Sequence, residues 1–435
     1  MTTPRLASLI AVGLLLALAL AAALFPSFMP SKDEEARHLA ALGIFIGSYL
    51  ALAIGKVPGL AIDRAGVALV GACLMVASGV VSLEQAYRAV DLGTLTLLLG
   101  MMIIVANLRI SGFFALVNAW VARRMHRPLL LLAAIVVVSG VFSAFLVNDA
   151  ICLVMAPLVL ELTMGLKRNP VPYLLAVAMA SNVGSTATIT GNPQNMMIGS
   201  FSGIPYIQFV SALAPVAIVG LLLTVGLLAV LHRGDLRGEV VEVHAPRVRI
   251  NQTLVVRSLI ATAVVVVLFF AGQPPAKAAI VVGALLLLTR RVKSARVYAE
   301  IDWSLLLMFT GLFIIVAGAE RELPSPQAVA SQLASVPVLS AVTALLSNLV
   351  SNVPAVLLLK PFVGVLPDHE RAWLVIAMAS TLAGNFTVLG SIANLIVVEK
   401  AARRGVIIGF WDYFRVGGPL TLLTLMVGTL WLMWR

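Results

Sequence analysis

Residues 178–198 read AMASNVGSTATITGNPQNMMI, and residues 377–397 read AMASTLAGNFTVLGSIANLIV. Both are polar runs set inside apolar sequence. Laid together without a gap, they pair Ser181 with Ser380, Thr188 with Thr387, Gly191 with Gly390 and Asn195 with Asn394. Gly191-Asn192-Pro193 breaks a helix, because proline lacks a donor and disfavours a helical residue before it. Broken backbone at membrane depth is tolerated only where it is buried in protein or lines a wet cavity. The run therefore predicts a broken helix with a polar centre, and its partner predicts a second one.

The rest of the chain supplies the membrane context. Of 435 residues, 61% are hydrophobic and 11% charged, and mean hydropathy is +1.05. Soluble domains are about 45–50% apolar and about 25% charged. Soluble enzymes and disordered proteins are excluded, and an integral membrane protein remains. The net charge of +11 fits Lys- and Arg-rich cytoplasmic loops better than nucleic-acid binding. The two cysteines and five histidines lack ligand spacing, so neither a transition metal nor an organic cofactor is expected. An intramembrane enzyme would need a nucleophile with a base or a metal pair, and no histidine lies near the polar runs.

The apolar runs predict an all-α polytopic membrane protein with about 11 transmembrane helices. Residues 1–30 are expected to form an N-terminal transmembrane helix, because the apolar stretch is long for a signal peptide. The polar break from His232 to Asn251 then marks a cytoplasmic linker, 233–253, between a first repeat at 38–232 and a second at 254–435.

Further matches support the duplication. Asp91–Ala106 aligns with Asp302–Ala317 at seven of 16 positions, including Asp91/Asp302 and Gly100/Gly311. Ser143–Pro157 aligns with Ser347–Pro361, pairing Asn148 with Asn352, and Pro215 falls on Pro419. Positive loops at 121–127, 167–168, 232–257, 290–296 and 399–404 predict a cytoplasmic N-terminus and an outside C-terminus in the inner membrane. Each half then crosses an odd number of times, which inverts the second half. Inverted repeats are the signature of many secondary transporters.

Each half also holds a turn between two apolar arms: Ser143 to Asp149, and Ser347 to Pro354. Asp149 is the one carboxylate at these turns; its partner position is Val353. An isolated intramembrane acid is a functional candidate by default. Alternatively, arms near 20 residues span fully and leave Asn148-Asp149 as a surface turn. Single Ser or Gly residues are explained by close helix packing, whereas a duplicated polar run with a break points to a site. The candidate solute- and ion-binding residues are Ser143, Asn148, Asp149, Ser351 and Asn352 at the turns. Ser181, Asn182, Ser185, Thr186, Thr188, Asn192 and Asn195 belong to the first break, and Thr387, Ser391 and Asn394 to the second. Freed carbonyls there suit Na⁺, and exposed helix N-termini suit anions.

These residues resemble the ion transporter superfamily, and within it the arsenical-pump and citrate-transporter-like permeases, with the silicon efflux transporters and the melanosomal P protein as relatives. The resemblance rests on Asn148-Asp149 followed by Pro157, on Gly191-Asn192-Pro193-Gln194-Asn195 and Asn352-Val353-Pro354, and on Gly390-Ser391-Ile-Ala-Asn394 and Tyr413-Phe414-Arg415, over residues 38–435. It implies two re-entrant helical hairpins, each followed by a broken helix, an elevator motion and a homodimer. The tips Val147-Asn148-Asp149 and Ser351-Asn352-Val353 depart from the Ser-Asn-Thr tips of dicarboxylate members. The expected function is secondary active transport of a small anion or oxyacid, of arsenite or silicate type, coupled to H⁺ or Na⁺, with a Na⁺ site near Asn148, Asp149 and Asn352. The alternatives are a Na⁺-coupled citrate, dicarboxylate or sulfate symporter, a Na⁺/H⁺ antiporter, or a channel.

Overall fold

A computed structural model describes residues 34–54, 62–125, 127–237, 250–288, 292–320 and 326–435. The expected helix at 1–30 lies outside them, as do residues 238–249 of the expected linker. The described residues form an all-α polytopic membrane protein. Before the linker run α1 (Glu34–Ile54), α2 (Arg64–Ala77), α3 (Leu83–Ala89), α4 (Leu92–Ser111), α5 (Phe113–Arg124), α6 (Pro128–Leu146), α7 (Asn148–Gly165), α8 (Val171–Ser185), α9 (Pro193–Ser202) and α10 (Tyr206–Leu231). After it run α11 (Gln252–Phe270), α12 (Pro275–Leu287), α13 (Ser294–Tyr298), α14 (Trp303–Ala319), α15 (Pro326–Leu333), α16 (Val336–Val350), α17 (Asn352–Val363), α18 (His369–Ala383), α19 (Ile392–Ala402) and α20 (Phe410–Trp434). Six of these, α4, α6, α7, α10, α11 and α20, are long and apolar enough to cross a membrane.

The matched residues have local causes. Asp91 Oδ1 accepts from the Thr94 amide at 2.9 Å, and Asp302 Oδ1 accepts from the Leu305 amide at 3.0 Å. Both aspartates thus cap the N-termini of α4 and α14, satisfying donors that a helix start leaves open. Gly100 on α4 lies against the Ala279 backbone of α12, where a Cβ would stand 2.5 Å from the carbonyl carbon. Gly311 on α14 lies against the Ala68 backbone of α2, also at 2.5 Å. The two contacts exchange partners between the halves: α4 with α12, and α14 with α2.

The chain divides into two compact units. Among the described residues, one comprises 34–54, 62–95, 302–320, 326–331 and 357–365, in which α2 packs on α1 and α14. The other comprises the described residues of 96–301, 332–356 and 366–435. Here α6 packs along α8, α16 along α18, and α10 along α20, with Trp431 Nε1 donating to the Ala212 carbonyl at 2.8 Å. Each unit takes segments from both halves of the chain.

Candidate functional site

Two helix pairs turn on a single residue. Val147 alone separates α6 from α7, and Ser351 alone separates α16 from α17. Both take positive φ, 68° at Val147 and 78° at Ser351. This is an uncommon backbone for any residue with a Cβ and a genuine outlier for β-branched valine. So tight a turn delivers Asn148 and Asn352 directly to the first position of the following helix.

The broken helices meet these turns. After Ser185 the chain leaves α8 and re-enters a helix at Pro193. The Asn192 side chain accepts from the Asn195 amide at 2.9 Å as N-cap. The matching N-cap of α19 is Ser391, which accepts from the Ala393 amide at 3.3 Å. At the first turn the Asn148 amide donates to the Gly191 carbonyl at 2.9 Å. At the second, the Asn352 side-chain amide is oriented by its neighbours: Nδ2 donates to the Ser380 and Gly390 carbonyls, each at 3.2 Å, and Oδ1 accepts from Gln194 Nε2 at 3.2 Å. Gly191 and Gly390 admit this folding-back. A Cβ on Gly191 would collide with the Ser185 carbonyl, and one on Gly390 would stand 2.8 Å from the Gly384 carbonyl oxygen.

Two sets of bonds recur in both breaks. Asn195 Nδ2 donates to the Ser185 and Thr188 carbonyls at 3.1 and 3.0 Å. Asn394 Nδ2 donates to the Gly384 and Thr387 carbonyls at 2.7 and 3.1 Å. Ser143 Oγ donates to the Ser181 carbonyl at 2.7 Å, and Ser347 Oγ donates to the Ser380 carbonyl at 2.9 Å. These bonds satisfy carbonyls that the interrupted helices free, in a place where water cannot do so cheaply.

Across the breaks runs an amide network. Asn182 Nδ2 donates to Asn385 Oδ1 at 2.9 Å and to Asn394 Oδ1 at 3.0 Å. Asn182 Oδ1 accepts from Asn148 Nδ2 at 3.0 Å and from Ser391 Oγ at 3.2 Å. Thr381 Oγ1, at the position matching Asn182, donates to Asn195 Oδ1 at 3.5 Å and accepts from Asn192 Nδ2 at 3.1 Å and Gln194 Nε2 at 3.2 Å. Asn182, Asn192, Asn195, Asn385 and Asn394 are each at most 1% exposed. All these partners are amides, hydroxyls or backbone groups.

The structure therefore brings Asn148, Asn182, Asn192, Asn195, Asn352, Ser391 and Asn394 together. The hydroxyls of Ser143, Ser181, Ser185, Thr186 and Thr188 are donated to backbone carbonyls, namely Ser181, Ala178, Asn182 (twice) and Ala144. They hold the tips and the break in shape. Ser351 and Thr387 are half-buried, and so is Asp149, in the first turn of α7. Asn148 Oδ1 is buried with no hydrogen-bond partner, an acceptor that fits a cation or a hydroxyl donor.

Sequence reasoning missed Gln194, Thr381 and Asn385 as site members. Repeat alignment held a signal for two of them: Thr381 matches Asn182, and Asn385 matches Thr186. For Gln194, matched by Ala393, the signal was its place in the Gly191-Asn192-Pro193-Gln194-Asn195 run.

A match to the family described as citrate transporter, CitMHS, spans residues 49–383. The uncharacterized transporter Rv2685 of Mycobacterium tuberculosis is 30% identical over 428 residues, covering 91% of this chain and 98% of that protein. The silicon efflux transporter LSI3 of Oryza sativa subsp. japonica is 29% identical over 466 residues, covering 89% of this chain and 95% of that protein. Among solved structures, the YdaH transporter of Alcanivorax borkumensis superposes with a TM-score of 0.55 at 14% identity, covering 92% of this chain and 98% of that one. That likeness concerns the fold.

Proposed function

The chain belongs to the citrate-transporter family, within the arsenical-pump-like anion permeases, and from that premise we propose that its solute binds where the two turns meet the two breaks and moves with a coupling ion. The protein is a multi-pass membrane transporter, not an enzyme, of a family that moves small anions and oxyacids.

The finer reading is an arsenite- or silicate-type oxyacid, or its anion, driven by H⁺ or Na⁺. The observation that carries it is the crossing of Asn182 to Asn394 and Thr381 to Asn195. A buried site built from neutral amides and hydroxyls suits a solute rich in hydroxyl groups and of low charge. A fully ionised citrate would want the bidentate guanidinium contacts that stabilise carboxylates. The relative described as a silicon efflux transporter points the same way. The family description, citrate transporter, favours the second reading, a Na⁺-coupled carboxylate symporter.

The architecture we propose is two inverted repeats, 38–232 and 254–435, joined by the linker 233–253. α6–α7 and α16–α17 are their re-entrant hairpins. At about 1.5 Å per residue, the break in α8–α9 falls about 22 Å from one end and about 15 Å from the other, which supports tips ending at depth. The exchange of helix partners between halves supports the repeats, and the division into two compact units suits an elevator motion. Asn148 Oδ1, Asp149 and Asn352 would supply oxygen ligands to a Na⁺. A homodimer in the inner membrane, with the N-terminus cytoplasmic and the C-terminus outside, completes the proposal.

The test is flux in proteoliposomes with arsenite, silicic acid and citrate under imposed H⁺ or Na⁺ gradients. Uphill accumulation of an oxyacid supports the first reading, and Na⁺-driven citrate uptake supports the second. Flux that never exceeds equilibrium means a channel and removes both.

A further inference from the structure

α5 presents two unlike faces. Its inner face is fixed. The rings of Phe113 and Phe114 lie 5.5 and 5.8 Å from that of Phe142 on α6, and Asn118 Nδ2 donates to the Leu158 carbonyl of α7 at 3.2 Å. Its outer face carries Leu116, Trp120, Arg123 and Arg124, whose spacing is that of one helix side. Leu116 is 37% exposed and Trp120 51%, and both arginines are exposed. Along its length the face passes from apolar to aromatic to cationic.

Arg127, immediately before α6, is a third exposed cation. α6 is long and apolar enough to cross a membrane, so its first turn lies at a membrane surface whether it spans or re-enters. Directly after Arg127, Leu129 and Leu130 are 45% and 51% exposed. The arginines thus stand between two sets of outward apolar side chains, at headgroup level. Arg124 lies over the Trp120 ring, 5.7 Å from its centroid, a cation–π contact that holds the charge where indoles settle in a bilayer. Among the described residues, no carboxylate pairs with Arg123, Arg124 or Arg127. A free anion would meet this charge alone, whereas an anionic lipid meets the charge and the leucines at once.

We propose that the outer face of α5, with Arg127, binds the phosphate of an anionic phospholipid such as phosphatidylglycerol, whose acyl chains lie along Leu116, Leu129 and Leu130. Each guanidinium offers paired donors to phosphate oxygens. α15, which follows α14 as α5 follows α4, carries no charged residue, so the repeated fold does not itself require these arginines. The proposal concerns a lipid partner of the carrier and holds whichever solute it moves.

The test is lipid titration of the full-length protein in detergent, followed by melting temperature. Wild-type protein should prefer phosphatidylglycerol to phosphatidylcholine by about a hundredfold, at about fivefold for each arginine. Raising the ionic strength to about 0.5 M should remove most of that preference. Arg124→Gln should weaken phosphatidylglycerol binding about fivefold, and Arg123→Gln/Arg124→Gln/Arg127→Gln should abolish the preference. Arg88→Gln, at an exposed arginine paired with Glu84 on α3, should leave it unchanged. Equal wild-type affinity for the two lipids overturns the proposal without recourse to any variant. So does a triple variant that keeps the preference. A loss in Arg88→Gln as large as in Arg124→Gln would show net charge acting in place of a site. Inorganic phosphate raising the melting temperature as much as phosphatidylglycerol would show a soluble anion in place of a lipid, and either result overturns the assignment.

Discussion

Asn182 and Thr381 stand at matching positions of the two halves, and each reaches the other half's asparagine. Asn182 Nδ2 meets Asn394 Oδ1 at 3.0 Å, and Thr381 Oγ1 meets Asn195 Oδ1 at 3.5 Å. The first contact is the richer, because an amide both donates and accepts. Asn182 consequently links Asn148, Asn385, Ser391 and Asn394 at once.

Asn182→Ala should therefore be among the most damaging single changes in the site. It strands several buried polar atoms, at about 1–3 kcal/mol for each one left unsatisfied. A lower melting temperature in detergent together with lost flux in proteoliposomes is expected. Wild-type behaviour in both would remove the network from the mechanism.

Asn195→Ala and Asn394→Ala should behave alike, since each amide clamps two carbonyls freed by a break. Each should lose about 1–3 kcal/mol of stability and bind solute more weakly. Titration of solute affinity beside thermal unfolding checks both parts. Divergence between the two variants would show that the halves are not equivalent in function.

Gly191→Ala and Gly390→Ala test the closeness of the folded-back breaks. The added methyl meets backbone in both, more severely at Gly191. Overpacking costs about 1–3 kcal/mol, so Gly191→Ala should sit at the upper end and Gly390→Ala below it. Comparative denaturation gives the order, and a reversed order would contradict the geometry.

Asp149→Asn should leave folding unchanged, because the side chain is half-buried at a helix start. It should abolish ion-driven accumulation while downhill exchange continues. Ion-driven flux at wild-type level would take Asp149 out of coupling.

Val147→Gly and Ser351→Gly probe the one-residue turns. A left-handed backbone costs a residue with a Cβ about 1–3 kcal/mol, and glycine escapes this at an entropic cost of about 0.5–1 kcal/mol. Melting temperature should rise at half-buried Ser351, whereas at Val147, 3% exposed, the loss of a buried side chain worth about 1.5–3 kcal/mol offsets the relief and no net rise is expected. A fall at Ser351 would mean that its side chain secures the turn.

Much of this was legible in the linear chain. Gly191-Asn192-Pro193 announced the first break because proline cannot continue a helix, and the repeat carried the inference to Ser391. Asp91 and Asp302 stood out as matched acids, yet their role as helix caps shows that duplicated polar residues are not all ligands. Thr381 and Asn385 stood in the second polar run and match residues chosen in the first, yet were not singled out. Gln194 had no counterpart at all, and its bond to Thr381 joins residues 187 positions apart.

Periodicity, breakers and composition act over a few residues, so the sequence alone determined a polytopic membrane protein with two polar interruptions in register. Which amide faces which, and which are left over, depends on helices far apart in the chain being packed together. The bond from Asn182 to Asn394 spans 212 positions, and Asn148 Oδ1 is left without a partner by what packs around it. Tertiary packing decided these, because a buried polar atom is satisfied or stranded by what the fold sets beside it.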